Sequence, residues 1–141
     1  MKTIHPFPSI SLSVPDEIRE DTDDRVRSYW KVGESCLLQL SSYRREQGNQ
    51  LSAAARLAER IQKGGTWTRI EIPNKPDGCD VASATTSDAT GVSWTHLYLV
   101  WPEFSVYVTV SHEGTENDCK WIWDTIASIK PVVTYIPLGT P

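Results

Sequence analysis

A chain of 141 residues and 15.8 kDa has the size of one domain, and at this length folding buries roughly two thirds of the unfolded surface. Charged residues make up 23% and the formal net charge is -4, so no basic field is available to hold a phosphate backbone, and nucleic acid is not an expected partner. No apolar run approaches a membrane span, and the opening MKTIHPFPSISLSVP lacks the continuous apolar stretch of a secretory signal.

Ser9 to Val14 alternates strictly, placing Ile10, Leu12 and Val14 on one face, and Pro15 closes this first strand. The acidic stretch PDEIREDTDD follows, with Asp21, Asp23 and Asp24 inside it. It reads as a solvated loop, whose functional alternative is docking to a basic partner. Arg25 to Val32 alternates through Val26, Ser28, Trp30 and Val32, and after Gly33 the run SCLLQLSSY is apolar enough for a more central strand. GNQLSAAARLAERIQKGG has helical period: Leu51, Ala54, Leu57, Ala58 and Ile61 form a stripe, while Ser52, Arg56, Glu59, Arg60 and Lys63 lie opposite. Gly64 ends that helix, and Trp67 to Ile72 and Asp80 to Thr86 supply two more strands around the turn-rich PNKPDG.

The clearest hairpin is SWTHLYLVWPEFSVYVTVS, which turns at Pro102 and Glu103. Pairing Trp101 with Phe104 sets Leu99 against Val106 and Leu97 against Val108, so every aliphatic side chain from Leu97 to Val110 except Val100 shares one face. The same register collects Trp94, His96, Tyr98, Tyr107, Thr109 and Ser111 on the other face, which is aromatic and polar.

In GTENDCKWIWDTIASIKP, Thr115 is a good N-cap with Glu116 and Asp118 in the first turn, and Lys130 and Pro131 supply the stop. Cys119, Ile122, Trp123, Ile126, Ala127 and Ile129 form an apolar stripe, which makes Cys119 a small core hydrophobe. Trp121 falls on the opposite side with Lys120, Asp124, Thr125 and Ser128. Either the tail VVTYIPLGTP covers it or it anchors another protein.

Catalytic and metal-binding patterns are missing from the sequence. His112 precedes Cys119 across the acidic HEGTEND, a setting that favours thiol over thiolate. No histidine or cysteine pair has metal-ligand spacing, the nucleophile-elbow pattern is not completed at Gly91 and Ser93, and no phosphate-cradling glycine loop occurs. The expectation is no catalytic residue, no metal and no cofactor. Cys36, Cys79 and Cys119 are few and far apart, which suits reduced thiols in a cytoplasm.

These elements add up to an α+β fold. A mainly antiparallel sheet of about six or seven strands is packed by two main helices near 50–63 and 116–130, in a single domain with its core at 7–132 and a tail at 133–141. The opening PSISLSVPDEI, the helix LSAAARLAERIQK and the closing VYVTVSHEGTENDCKWIWDTIASIK resemble the PsbP-like α/β/α sandwich superfamily. That superfamily includes a photosystem extrinsic subunit, a partner of a small nuclear GTPase and bacterial chaperones of secreted toxin effectors. The resemblance implies a scaffold that binds other proteins and carries no common catalytic residues.

The expected function is therefore a non-catalytic bacterial-type accessory or chaperone, with Trp94, His96, Tyr98, Tyr107, Trp121, Asp21, Asp23 and Asp24 as partner-binding candidates. One alternative is a toxin-neutralising immunity protein that uses the acidic segment. Another is a small-molecule binder or enzyme that uses the Trp94, His96 and Tyr98 face.

Overall fold

The computed structural model describes residues 1–44, 52–87, 89–113 and 120–132. The strands are β1 (Lys2–Phe7), β2 (Ile10–Val14), β3 (Arg19–Asp23), β4 (Val26–Trp30), β5 (Cys36–Arg44), β6 (Thr68–Arg69), β7 (Asp80–Ser87), β8 (Ser93–Val100), β9 (Phe104–His112) and β10 (Lys130–Pro131). The helices are α1 (Ala53–Gln62) and α2 (Lys120–Ala127). Every strand pairing is antiparallel, in a seven-stranded sheet ordered β3-β4-β5-β9-β8-β7-β6 and a three-stranded sheet ordered β1-β2-β10. The α+β class expected from the sequence is the class observed.

The β8–β9 hairpin has the register its alternation dictates. Leu97 opposes Val108 and Leu99 opposes Val106. The Trp101 N–H donates to the Phe104 carbonyl at 3.0 Å, and the two rings stack with centroids 5.1 Å apart. The aliphatic face formed in this way is the floor of the core. Leu38, Leu40, Leu97, Leu99, Val106, Val108 and Val110 are sealed beneath Ile10, Leu12 and Val14 of β2 and Ile122, Ile126 and Ile129 at α2. Each such side chain contributes about 1.5–3 kcal/mol through removal from water. α1 packs on the opposite face of the large sheet, over β7 and β8.

Several elements depart from the sequence reading, each for a physical reason. Lys2–Phe7 forms a strand that the alternation does not announce, pairing with β2 into a hairpin that caps the core as a separate small sheet. The acidic segment is a strand and not a loop: Arg19–Asp23 is exposed along its whole length and is held by backbone pairing to β4, so no hydrophobic period marks it. In β4 it is Tyr29, fully buried, that enters the core, whereas Ser28 and Trp30 face the other way. Of the expected strand from Trp67 to Ile72, only Thr68–Arg69 is one, continued by a single bond from Ile70 N–H to the Ser83 carbonyl at 3.2 Å.

α1 begins later than expected. Ser52 caps it, its hydroxyl accepting from Ala55 N–H at 3.1 Å, and Gly64 and Gly65 end it with φ of 114° and 99°. α2 stops at Ala127, and Lys130–Pro131 pairs with β2 in place of continuing the helix. Thr125, expected on the outer side of α2, is fully buried, and the Ser128 hydroxyl accepts from Ser13 N–H at 2.8 Å, so the helix is enclosed on more than its apolar stripe. The expected N-cap at Thr115, the core cysteine Cys119 and the tail from residue 133 onward lie outside the described residues. Cys36 is disulfide-bonded, contrary to the expectation of three reduced cysteines, while Cys79 is a buried free thiol.

Candidate functional site

Register partners define rows of side chains across the face of the large sheet that points away from the core. One row runs through all seven strands: Asp21, Ser28, Gln39, Thr109, His96, Ala84 and Arg69. The next joins Ser41, Tyr107, Tyr98 and Ala82, and another joins Leu37, Ser111, Trp94 and Thr86. The structure therefore brings Trp94, His96, Tyr98 and Tyr107 together, and places Asp21 and Asp23 at the β3 border of the same face. Asp24 sits at the tip of the β3–β4 hairpin with φ of 48°, a left-handed position that Asp tolerates. Trp121 belongs elsewhere. It is half-buried on α2, on the core side of the sheet, and its indole N–H donates to Glu34 Oε2 at 2.8 Å.

At the centre of the face the polar groups are tied to one another. His96 Nδ1 and the Tyr107 hydroxyl share a hydrogen bond, and Tyr107 stacks on Tyr98 with centroids 4.9 Å apart. Arg60 reaches in from α1. Its Nε donates to the Tyr98 hydroxyl at 2.7 Å, and its guanidinium lies 4.3 Å from the Tyr107 ring centroid. Trp67 closes the other side of His96, edge to face at 4.7 Å, and is held by its indole N–H donating to the Gly64 carbonyl at 2.9 Å. The double-glycine turn after α1 thus sets the position of Trp67. A Cβ at Gly65 would come within 3.2 Å of the Trp67 indole nitrogen, and its positive φ disfavours a side chain in any case.

Burial, and after it the Arg60 cation, hold the His96 imidazole down to about 4, so the ring is neutral at physiological pH. Burial pushes the Tyr107 phenol up to about 12, against the pull of Arg60. Burial also works against the charge on Arg60, but its bond to Tyr98 and the neighbouring phenols outweigh this, and the group is raised above its ordinary value. A general base operates best near the working pH, and an imidazole bound to Tyr107 under a guanidinium is far from that condition. The arrangement is a bonded aromatic cluster that fixes α1 on the sheet.

Beyond α1 the face changes character. Gln39 Nε2 donates to the Ser28 hydroxyl at 3.2 Å, and Thr109 Oγ1 donates to Gln39 Oε1 at 3.4 Å, forming a polar ladder across β4, β5 and β9. Tyr43, further along β5 on the same face, is 45% exposed. A cavity of about 670 Å³ lies at the other edge and is lined by Ala54, Arg69, Ile72 and Val81, not by Trp94, His96 or Tyr98. Among the described residues no three His, Cys, Asp or Glu side chains are grouped so as to hold a metal ion.

Arg60 and Trp67 are the members of this cluster that the sequence reading did not place. A stripe through Ala54, Leu57 and Ala58 turns Arg60 outward, whereas the helix buries Ala53 and Leu57 and leaves Ala54 exposed, which brings Arg60 over the tyrosines. The signal was the polar aromatic face itself, because two phenols and an imidazole beside a helix favour a cation there.

The fold and this site define an antiparallel α+β domain with one sheet face half covered by a helix. No protein-family profile matches the chain, and no curated protein matches it. A solved structure from Bacteroides thetaiotaomicron VPI-5482 is similar in fold, with a TM-score of 0.55 at 10% sequence identity. The likeness covers 88% of this chain and 45% of that one, so the present chain spans less than half of its structural neighbour.

Proposed function

We propose that this chain is a non-catalytic domain that binds another protein, an accessory or chaperone-like role, and that it contacts its partner through the half of the sheet face that α1 leaves open. One observation carries the reading: the part-buried ladder of Ser28, Gln39 and Thr109 shares its face with exposed Tyr43, no described helix packs over it, and the ionisable groups next to it are already bonded to one another. Tyrosine with short polar neighbours is the composition of a protein contact, and small ligands prefer an enclosing cavity. The PsbP-like resemblance, with its protein-binding members, points the same way.

Asp21 and Asp23 border this face, so the immunity-protein variant of the proposal would use the same surface with a basic toxin as its occupant. Three arginines, Arg19, Arg25 and Arg27, interleave the acids of that hairpin, which makes its charge mixed and favours the more general reading. The disulfide at Cys36 removes the reason the cysteines gave for a cytoplasmic location. No described helix is long and apolar enough to cross a membrane.

The test is co-purification of the product of an adjacent gene with the wild-type chain, with Gln39→Arg/Tyr43→Glu and with Asp21→Lys/Asp23→Lys. A partner held by the wild type and lost on the first double substitution, with thermal unfolding unchanged, supports the reading. Loss on the second alone, with steep salt dependence, selects the immunity variant. Retention by every variant refutes the sheet face as the contact.

A further inference from the structure

β7 is longer than the strand that covers its outer edge. β6 pairs only with Thr85 and Ala84, and one further bond, from Ile70 N–H to the Ser83 carbonyl at 3.2 Å, ends the pairing. The Ser83 hydroxyl donates to the Ile70 carbonyl at 2.7 Å, and beyond Ile70 no described backbone bond joins that segment to β7. Successive residues of a strand aim their N–H and C=O groups to alternate sides, so the outward carbonyl of Ser83 places both backbone groups of Val81 outward as well. No described hydrogen bond reaches them. Here lies the cavity of about 670 Å³, and its lining comes from both faces of β7: Val81, whose register partner is Leu99 of the core, and Ala82, whose partner is Tyr98. A space that meets both faces of a strand lies along its open edge.

We propose that this edge takes an extended, acidic peptide segment of a partner protein, added to β7 as a further antiparallel strand in line with β6. An unpaired donor and acceptor on a strand edge are a template for another chain, and main-chain pairing supplies the affinity. At roughly 3.3 Å per residue, the edge from Asp80 to Ser83 suits three or four residues of the partner. Side-chain preference follows from register. The partner residue opposite Val81 shares its face, on the side where Ile72 and Val81 pack against the core, so an apolar side chain fits there. Its two neighbours point to the face of Arg69, because Ala84, the register partner of Arg69, is also that of His96. Arg69 and Lys75 line the cavity against Glu71 alone, and neither makes an ion pair with a described residue, so carboxylates suit those two positions. The edge shares no residue with the sheet-face contact proposed above, and either can fail alone.

The probe is the blocked pentapeptide acetyl-Thr-Glu-Val-Glu-Thr-amide, titrated into the wild-type chain while backbone amide signals are followed by NMR. Its valine is the residue set opposite Val81, and the expected result is saturable shifts at Val81 and Ser83. N-methylation of the valine removes the amide that faces β7 and should weaken binding about tenfold, whereas N-methylation of a glutamate, whose amide faces away, should change it less than about threefold. A peptide with lysine in place of both glutamates should bind about fivefold more weakly at low salt, a difference that high salt removes. Val81→Pro deletes the outward N–H and leaves the ladder to β8 intact, so it should lower affinity about tenfold with the melting temperature held. If that variant does not fold, the methylated pair on the wild-type chain decides. Equal loss from the two methylations overturns the proposal, as do equal binding of the lysine peptide, shifts confined to other residues, or no binding of the probe. Shifts at Val81 that grow with protein concentration in the absence of peptide, the mark of a second copy on this edge, also overturn it.

Discussion

Arg60 makes two contacts at once, to the Tyr98 hydroxyl and to the Tyr107 ring, and it also helps to hold the His96 imidazole neutral. Arg60→Leu should therefore destabilise the fold by about 1–2 kcal/mol and raise the His96 titration midpoint, read by NMR against pH. His96 has its own pH consequence. Its folded value of about 4 lies below the ordinary 6.5, so between those values the unfolded chain binds a proton that the folded chain refuses. The His96 contribution is complete above the higher value and is lost as pH falls toward the lower one. Unfolding free energies from urea titrations at pH 7 and pH 4.5 should differ by up to about 2 kcal/mol on this account, and His96→Phe should flatten the difference. Among the sulfurs, burial pushes the Cys79 thiol up to about 11, and it donates to the Pro76 carbonyl at 3.4 Å. Alkylation of the native protein at pH 8 should be slow at Cys79, and Cys36 should be labelled only after reduction.

The elements differ in how openly the sequence declares them, and the difference is physical. β8 and β9 bury one face completely, so only one register keeps Leu97, Leu99, Val106 and Val108 together, and alternation alone finds it. The polar aromatic face of Trp94, His96, Tyr98 and Tyr107 follows from the same step. β3 buries nothing and exists because β4 offers it backbone partners, which no hydrophobic pattern records. α1 falls between these cases. Its period is plain, but whether Ala53 or Ala54 meets the sheet is not, and that choice decides whether Arg60 faces outward or reaches the tyrosines. Ser52→Ala should cost about 1 kcal/mol by thermal unfolding, while Gly65→Ala should displace Trp67 from His96, visible as a changed His96 ring shift.

An open sheet has an edge that must be guarded against pairing. β3 forms one edge, fully exposed and dense in charge, the usual protection against pairing with a second copy. Replacing Asp21 and Asp23 with Val should leave the monomer folded yet make it self-associate at micromolar concentration, as sedimentation would show. Stability and edge protection thus belong to different surfaces: the sealed layer between β2, the large sheet and α2 holds the fold, and the charged border disfavours edge-to-edge pairing.

The small sheet joins β2 to strands from both directions along the chain, β1 before it and β10 far after it, and Ser13 meets Ser128 across 115 positions. A ribosome releasing this chain therefore frees Ile10, Leu12 and Val14 long before it supplies the cover of α2. Until α2 emerges those three side chains lack that cover, an interval in which an unfinished polypeptide is prone to adhere to other apolar surfaces.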